Sequence, residues 1–424
     1  MNDLASSGYT HSDIGTLPDS WSVRPLSEIV SVMTNGFVGT ATSAYVENDD
    51  GVTYIQGFNV EPNGFNLTNI RKVSQDFHKS HTKSCLRTGD VLTIQTGEIG
   101  VSTVVPEYLS GSNCHALIIS RFIKNLAHPA YYCQYFNSKI GMNAFKEIET
   151  GTTMKHLNVG DMLQLLVPVP PIAEQQAIAE TLFDMDALIS SLDQLIAKKR
   201  NIQQATMQQL LTGQRRLPGF SGEWTLKRLG EIGEISGAGV DKKIRAGESE
   251  VRLLNYTDVY KKDFLLSSDF SHVVTAKSEQ ITRCSVKKGD VFFTPSSEVR
   301  GDIANAAVSY ENMPDVTYSY HVVRLRPLAK LDINFLRFAF KSKEFKDQAS
   351  TACEGSGTRY VITLPKFRAM TIRLPLRVDE QEAIGAVLSD MSADIDALEA
   401  RRDKARLLKQ GMMQELLTGR IRLV

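Results

Sequence analysis

Residues 207–217 read MQQLLTGQRRL, and nearly the same stretch returns at residues 413–424 as MQELLTGRIRLV. Both stretches belong to a longer repeat, in which EQQAI at residues 174–178 recurs as EQEAI at residues 380–384. The offset is a constant 206 residues, from 174 to 380 and from 213 to 419, without a gap. Because each copy of an internal repeat marks one structural unit, the chain is predicted to contain the same architecture twice.

Both copies have the pattern of a long helix. Apolar residues recur at alternating steps of four and three, the spacing of a coiled-coil seam. The predicted helices cover residues 173–211 and 379–417, each about 58 Å long at the usual helical rise. We expect them to pair within the chain, the alternatives being a buried core helix or a coiled coil between two chains. The predicted interface consists of Ile178, Leu182, Met185, Ile189, Leu192 and Ile196 in the first copy and Ile384, Leu388, Met391, Ile395 and Leu398 in the second.

The ends of both helices carry recognisable signals. Gly213 and Gly419 are predicted to terminate them, because glycine readily adopts the left-handed conformation that closes a helix. Asp379 and Glu382 are predicted to form a capping box at the start of the second helix. Polar residues occupy the later seam positions, which we interpret as a shift of the contact face or a place where a partner packs. These residues are Lys199, Gln203, Arg402 and Lys409.

The segments outside the helices match more loosely. Residues 88–100, TGDVLTIQTGEIG, are similar to residues 288–300, KGDVFFTPSSEVR. Short β-branched and aromatic runs broken by Gly, Asn and Asp predict strands, with one helix around residues 129–139 and another around residues 334–345. The predicted fold class is α+β, with two mixed α/β domains separated by two long helices. The predicted domains are 1–170 and 218–378, and the predicted helical segments are 171–217 and 379–424.

Composition excludes several classes of protein. The 424 residues contain 48 Lys and Arg and 48 Asp and Glu, so the chain is not a simple basic nucleic-acid binder. Residues 218–378 alone carry a net charge of +6, which leaves room for a polyanion-binding surface there. The five cysteines form no C-x-x-C pair, and His78 and His81 lack further ligands for zinc. No membrane span and no signal segment is expected, so a cytoplasmic protein is predicted.

The repeated motifs resemble a known family. VPVPPIAEQQAIAETL followed by LLTG, and LPLRVDEQEAIGAVL followed by LLTG, resemble the two central repeats of the specificity subunit of type I restriction-modification systems. The resemblance covers nearly the whole chain. One departure is the second helix entry, where residues 374–377 read LPLR and lack the double proline of residues 170–171.

The resemblance implies a function without catalysis by this chain. Each α/β domain would be a target recognition domain that reads one half of an asymmetric, split DNA sequence. The long helices would pack antiparallel as a spacer and dock two methyltransferase subunits, through which restriction subunits join. The methyltransferases would modify adenine N6. S-adenosylmethionine, ATP and Mg²⁺ would bind to the partner subunits, and this chain would hold no cofactor or metal.

Residues that read DNA bases must present hydrogen-bonding side chains on loops or helix ends. Three loops in each half meet this condition at equivalent places. The candidates in the first half are Asn35, Thr40, Thr96, Gly97, Glu98, Thr152, Thr153 and Lys155. Those in the second half are Lys242, Lys243, Ser296, Ser297, Arg300, Thr358, Arg359 and Tyr360. Arg300 and Arg359 are the strongest candidates, because arginine can form two hydrogen bonds to guanine.

Two rival functions deserve comparison. Asp315, Glu344 and Lys346 formally match a nuclease signature of the PD…ExK type, but the first half has no counterpart. No phosphate-binding G-x-x-x-x-G-K-[ST] loop and no Asn-Pro-Pro-aromatic methyltransferase motif occurs. The second rival is a coiled-coil scaffold that binds only proteins, which accounts for the helices but not for two diverged α/β domains.

Overall fold

The structure is a computed structural model that describes residues 8–47, 49–152 and 154–423. The chain divides into two compact units. We call Met1–Asp193 with Ala400–Val424 the first lobe, and Gln194–Glu399 the second lobe. The boundary between the lobes falls inside both long helices, so each lobe contains part of each helix.

The first lobe is a mixed α/β structure. Its strands are β1 (Tyr9–Ser12), β2 (Gly15–Pro18), β3 (Ser22–Pro25), β4 (Val30–Asn35), β5 (Tyr45–Val46), β6 (Val52–Ile55), β7 (Val60–Glu61), β8 (Gly64–Phe65), β9 (Arg71–Val73), β10 (Val91–Ile94), β11 (Ser102–Val104), β12 (Asn113–Cys114), β13 (Leu117–Phe122) and β14 (Leu166–Val169). Its helices are α1 (Leu26–Ile29), α2 (Gln75–Ser80), α3 (Pro129–Asn137), α4 (Lys139–Ile148), α5 (Val159–Gln164) and the first part of α6 (Ile172–Leu211).

The second lobe contains a similar set of elements. Its strands are β15 (Thr225–Arg228), β16 (Gly233–Ser236), β17 (Ser249–Leu254), β18 (Phe264–Leu265), β19 (Val273–Ala276), β20 (Ser285–Val286), β21 (Val291–Phe293), β22 (Ser296–Ser297), β23 (Ala306–Ser309), β24 (Met313–Tyr318), β25 (Val323–Pro327), β26 (Glu354–Ser356), β27 (Arg359–Val361) and β28 (Thr371–Leu374). Its helices are α7 (Leu229–Ile232), α8 (Tyr256–Lys261), α9 (Ser278–Cys284), α10 (Ile333–Ala339), α11 (Lys343–Ala352), α12 (Leu364–Ala369) and the first part of α13 (Val378–Leu416).

The two lobes share the order of four strands in their central sheet, to which the second lobe adds β18 in a parallel pair with β23. The order β4-β13-β10-β11 in the first lobe corresponds to β16-β25-β21-β23 in the second, and neighbouring strands are antiparallel in both. A second sheet in each lobe contains a parallel pair, β6 with β12 and β17 with β24. The sequence repeat therefore extends to the strand order of the diverged domains.

Each central sheet is covered on both faces. Along β10, Val91 packs into one hydrophobic cluster and Leu92 into another, because successive side chains of a strand point to opposite faces. The same alternation occurs along β21, where Phe293 and Phe292 belong to different clusters. Burial on both faces explains why these strands are continuous apolar runs in the sequence.

The long helices are α6, of 40 residues, and α13, of 39 residues. Gly213 has φ +72° and Gly419 has φ +70°, so both predicted helix-ending glycines have the left-handed conformation. The helices run antiparallel in each lobe. In the first lobe Asp186 pairs with Lys409 at 2.6 Å and Asp193 with Arg406 at 2.9 Å. The second lobe has Lys199 with Asp394 at 3.1 Å and Gln203 with Ser392 at 2.8 Å.

The predicted interface residues are all withdrawn from solvent. Ile178, Leu182, Leu192, Ile196, Ile384, Leu388 and Ile395 are buried, and Met185, Ile189, Met391 and Leu398 are half-buried. The polar residues at later seam positions continue the contact between the helices through hydrogen bonds and ion pairs, and Arg402 contacts Asp193 at 3.5 Å. The seam therefore changes from apolar to polar without a shift of the contact face.

A buried carboxylate joins the ends of the helices to the globular part of each lobe. In the first lobe the side chain of Glu174 is 0% exposed and accepts hydrogen bonds from Trp21 Nε1 at 2.9 Å and Arg422 Nη2 at 2.7 Å. The Arg422 guanidinium also lies over the Trp21 ring. The second lobe repeats this cluster with Glu380, Trp224 and Arg216. The repeated LLTG tag thus leads in both copies to an arginine that binds the glutamate of the other helix.

Three predictions about helix boundaries need correction. The helix expected around residues 129–139 is present as α3 but ends at Asn137, and a second helix that was not predicted follows, because Ser138 caps α4 by accepting a hydrogen bond from the backbone N–H of Gly141. Ser342 likewise separates α10 from α11. The capping box of Asp379 and Glu382 does not form. Helix α13 begins at Val378, so Asp379 lies inside its first turn and pairs with Arg377.

Candidate nucleic-acid interface

The candidate loops follow equivalent strands in the two lobes. In the first lobe β4 ends at Asn35 and β10 ends at Ile94, and both strand ends flank the start of β13. In the second lobe β16 and β21 end in the same way beside the start of β25. Loops that follow neighbouring strands at the same end of a sheet lie side by side. The topology therefore brings the first two candidate loops of each half to a common end of the sheet, which we call the edge of that lobe.

The loop after β10 also meets the third candidate loop of the first lobe. Thr96 forms an isolated bridge with His156, and the backbone N–H of Leu157 donates to Gln95 O at 2.9 Å. Thr96, Gly97, Glu98, Thr152 and Lys155 are all exposed. Lys155 forms an ion pair with Glu149, which reduces its value as a free phosphate contact. Thr153 lies outside the described residues.

The other two first-lobe candidates differ in exposure. Thr40 is exposed on the loop after β4, whereas Asn35 is half-buried at the end of the strand. Asn35 Oδ1 is buried and has no hydrogen-bond partner within the described part of the chain. An unpaired buried oxygen costs stability, so Asn35 stands out among these candidates.

The structure brings six of the second-lobe candidates together. Strand β22, formed by Ser296 and Ser297, pairs with β27, and Ser297 lies opposite Tyr360. Arg300 lies over the Tyr360 ring with 5.3 Å between its guanidinium carbon and the ring centroid. Thr358 and Arg359 line the same cavity as the two serines. This small sheet is the densest group of predicted residues in either lobe.

Of the two lysine candidates, Lys242 acts on the same histidine as Arg359. Partial burial lowers the pKa of His321, and the positive charges of Lys242 and Arg359 lower it further. Lys242 and Arg359 therefore contribute to one electropositive area around His321. Lys242 and Lys243 are exposed, and Lys243 also lies 3.9 Å from Asp241.

The sequence analysis did not predict the aromatic and acidic residues that line the cavity beside these candidates. Tyr256, Tyr260 and Asp302 line the cavity beside Ser296 and Arg359, and the two tyrosine rings are stacked 6.2 Å apart. Aromatic residues and an acid at separate places in the sequence carry no signal of their own. The two tyrosines four residues apart on α8 were the one available hint, since residues at this spacing share a helix face.

The residues of the nuclease signature are engaged elsewhere. Asp315 binds Arg252 at 2.6 Å, Glu344 binds Arg373 at 3.2 Å, and Lys346 donates to Asn305 at 2.6 Å. Within residues 8–47, 49–152 and 154–423 there is no group of three or more His, Cys, Asp and Glu side chains that could hold a metal ion. In the same residues no helix is long and apolar enough to cross a membrane.

The fold and this edge define a class of protein: a duplicated α/β protein whose two lobes present polar loops from equivalent sheet edges and share a pair of long helices. A family model described as the type I restriction modification DNA specificity domain matches residues 18–199 and 221–408. The chain belongs to this family, and it is a type I restriction-modification specificity subunit.

Curated relatives carry the same description, and solved structures share the fold. The chain is 21% identical to the type I restriction enzyme StySPI specificity subunit of Salmonella potsdam, over 96% of this chain and 90% of the relative. It is 24% identical to the putative MjaX specificity subunit of Methanocaldococcus jannaschii, over 98% and 96%. The fold is similar to a type I restriction-modification S subunit from M. genitalium, with a TM-score of 0.56, 14% identity and coverage of 93% and 96%. A chain from a study of type I complex assembly gives a TM-score of 0.57 at 18% identity, with coverage of 96% and 99%.

Proposed function

We propose that this chain recognises an asymmetric, split DNA sequence, with one half-site read by each lobe. The observation that carries the proposal is the equivalent sheet edge with different loops in the two lobes. One edge carries Asn35, Thr96 and Thr152, and the other carries Lys242, Ser296, Arg300 and Arg359. Two lobes of one topology but different surface chemistry are suited to reading two different base sequences.

The domains that we propose as readers are residues 1–170 and 218–378, with residues 171–217 and 379–424 as the spacer between them. A 40-residue helix is about 60 Å long, and the antiparallel contacts within each lobe support a stiff pair. A stiff spacer would fix the distance between half-sites, as subunit spacing does in dimeric DNA-binding proteins. The repeat also supplies two equivalent helical surfaces, which fits the docking of two identical methyltransferase subunits.

Catalysis in this proposal belongs to the partners. The methyltransferase subunits would bind S-adenosylmethionine and modify adenine N6, and restriction subunits that use ATP and Mg²⁺ would join through them. This chain would supply base recognition. A partner that shares the DNA would also supply phosphate contacts, which dominate affinity. The near-neutral charge of the chain is compatible with an arrangement in which the partner supplies phosphate contacts and this chain reads bases.

The alternative is a scaffold that binds only proteins, and a direct binding experiment separates the two. The purified chain with its partner methyltransferase would be titrated against duplex DNA that contains the methylated site, and against the same duplex with both half-sites scrambled. We expect binding at least about a thousandfold tighter to the specific duplex at physiological salt. Equal affinity for both duplexes, or stable complexes that bind no DNA, would favour the scaffold.

A further inference from the structure

A cavity of about 470 Å³ opens beside the candidate residues of the second lobe. Its lining includes Tyr256, Tyr260, Asp302, Thr358 and Arg359. The volume falls within the range of protein sites for small organic groups, and aromatic walls with a few fixed polar groups are typical of such sites. Two carboxylates also line it, those of Glu298 and Asp302, of which Glu298 is exposed and Asp302 is half-buried. A carboxylate here is unexpected, because an acid near DNA is repelled by the phosphates unless it meets a hydrogen-bond donor.

Asp302 is held in one orientation. Its Oδ2 accepts a hydrogen bond from Tyr260 OH at 2.6 Å, and its Oδ1 accepts one from Asn305 Nδ2 at 2.9 Å. Asn305 is held in turn by Lys346 Nζ at 2.6 Å. A carboxylate oxygen can accept more than one hydrogen bond, so both oxygens keep acceptor capacity for a ligand.

The surroundings keep Asp302 ionised. Partial burial by itself would raise the pKa of Asp302, but hydrogen bonds from Tyr260 and Asn305 and the charge of Lys346 outweigh it, so the pKa lies below its ordinary value. A fixed, ionised acceptor selects hydrogen-bond donors. In the major groove the base donors are the amino groups of cytosine N4 and adenine N6, since guanine and thymine present acceptors there.

The tyrosine that binds Asp302 belongs to one lobe. Residues 53–60, TYIQGFNV, match residues 252–259, RLLNYTDV, so Gly57 occupies the position of Tyr256. The residue that follows each segment is Glu61 in the first lobe and Tyr260 in the second. The loop that carries Asp302 is also longer than its first-lobe counterpart between β10 and β11. A group confined to one lobe suits the recognition of one half-site.

We propose that Asp302 determines specificity by accepting a hydrogen bond from the amino group of a cytosine or an adenine in the half-site read by the second lobe. Tyr260 and Asn305 are its positioning residues. The proposal rests on the proposed function, because it names one base contact of the same DNA-binding surface.

The test removes the amino group from the DNA and the carboxylate from the protein, separately and together. Duplexes would carry purine in place of each adenine, or 2-pyrimidinone in place of each cytosine, through the half-site. The complex of the chain with its methyltransferase partner would be titrated with each duplex. At one position we expect wild type to bind the analogue about tenfold more weakly, as the loss of one charge-assisted hydrogen bond predicts. Asp302→Ala, which removes both acceptor oxygens, should be affected less than twofold at that position.

Asp347→Ala is the matched control, because it removes an exposed carboxylate of α11 in the same lobe. It should keep the tenfold sensitivity of wild type. Equal sensitivity of wild type and Asp302→Ala at every position would overturn the proposal, as would a wild-type complex that is insensitive to every amino deletion. The wild-type series needs no variant, so a negative result there overturns the proposal even if Asp302→Ala does not fold. A wild-type complex that fails to distinguish specific from scrambled DNA would refute the proposed function instead.

Discussion

At the residue scale, the side chains of the second-lobe edge differ in what they can contribute. Arg359 is exposed and lies in the electropositive area around His321, whereas Arg300 is partly engaged with the Tyr360 ring. A free guanidinium can form two hydrogen bonds to guanine, but one that stacks on tyrosine has less freedom to do so. The structure therefore favours Arg359 over Arg300 as the base-reading arginine.

Arg359→Ala should impair one half-site only. A bidentate arginine contact contributes about 1–3 kcal/mol to discrimination against the wrong base. The preference of methylation for the correct base pair at a single position should therefore fall about tenfold or more. The measurement is the methylation rate on duplexes with each half-site altered in turn. The exposed Lys343→Ala, in α11, is the control and should leave selectivity unchanged. A loss spread equally over both half-sites would show that Arg359 does not act as a reader of one of them.

Arg422→Ala tests the buried carboxylate cluster of the first lobe. The variant leaves Glu174 buried without its cation, and loss of one partner of a buried pair is strongly destabilising. Because Arg422 itself is 31% exposed, we expect a loss of about 2–3 kcal/mol in the free energy of unfolding, below the range for fully buried pairs. Urea unfolding of the purified chain measures this.

Arg420→Ala is the matched control two residues away, because Arg420 pairs with Glu415 at the surface. Exposed pairs contribute about 0–1 kcal/mol, so its effect should be small. Similar unfolding free energies for the two variants would mean that the Glu174 cluster does not stabilise the first lobe as described.

At the element scale, the two long helices depend on a seam whose chemistry changes along its length. Leu192 and Ile395 are buried, while Lys199, Gln203, Arg402 and Lys409 make polar contacts with the opposite helix. Ion pairs across a seam favour one register and orientation over others, and apolar contacts supply most of the stability. The antiparallel register therefore depends on both kinds of contact.

Leu192→Asp combined with Leu398→Asp should disrupt this pairing. Placing unpaired charges at withdrawn seam positions carries a large desolvation penalty. We expect methylation at the wild-type half-site spacing to be lost. Ser190→Asp, on an exposed position of α6, is the control and should retain activity. If the double variant still methylated sites with unchanged spacing, the helices would not set the spacing.

Local signals account for what the sequence could predict about these elements. The heptad spacing, the constant offset and the two glycines located both helices within one or two residues. The breaks at Ser138 and Ser342 were missed, because a capping serine inside an apolar run is outweighed by the run itself. The cavity of Tyr260 and Asp302 was missed for another reason. These residues are 42 positions apart, and only the packing of α8 beside the loop after β22 brings them together.

At the scale of the whole molecule, the duplication explains both what the halves share and where they differ. The helices and the central sheets are conserved between the copies, whereas the edge loops have diverged in length and charge. Loops that differ on a repeated scaffold are suited to two different ligands of one chemical kind. Two half-sites of different base sequence satisfy this condition.

The assignment of one half-site to each lobe is tested most directly by the adenine methylomes of two sets of cells. One set carries the chain and its methyltransferase partner. In the other set, residues 218–378 of the chain are exchanged for the corresponding domain of a relative. For the original chain we predict a methylated motif with two different half-sites at a fixed spacing. The exchange should change one half-site and leave the other half-site and the spacing intact. A continuous motif, or an exchange that alters both half-sites together, would contradict the assignment of one half-site to each lobe.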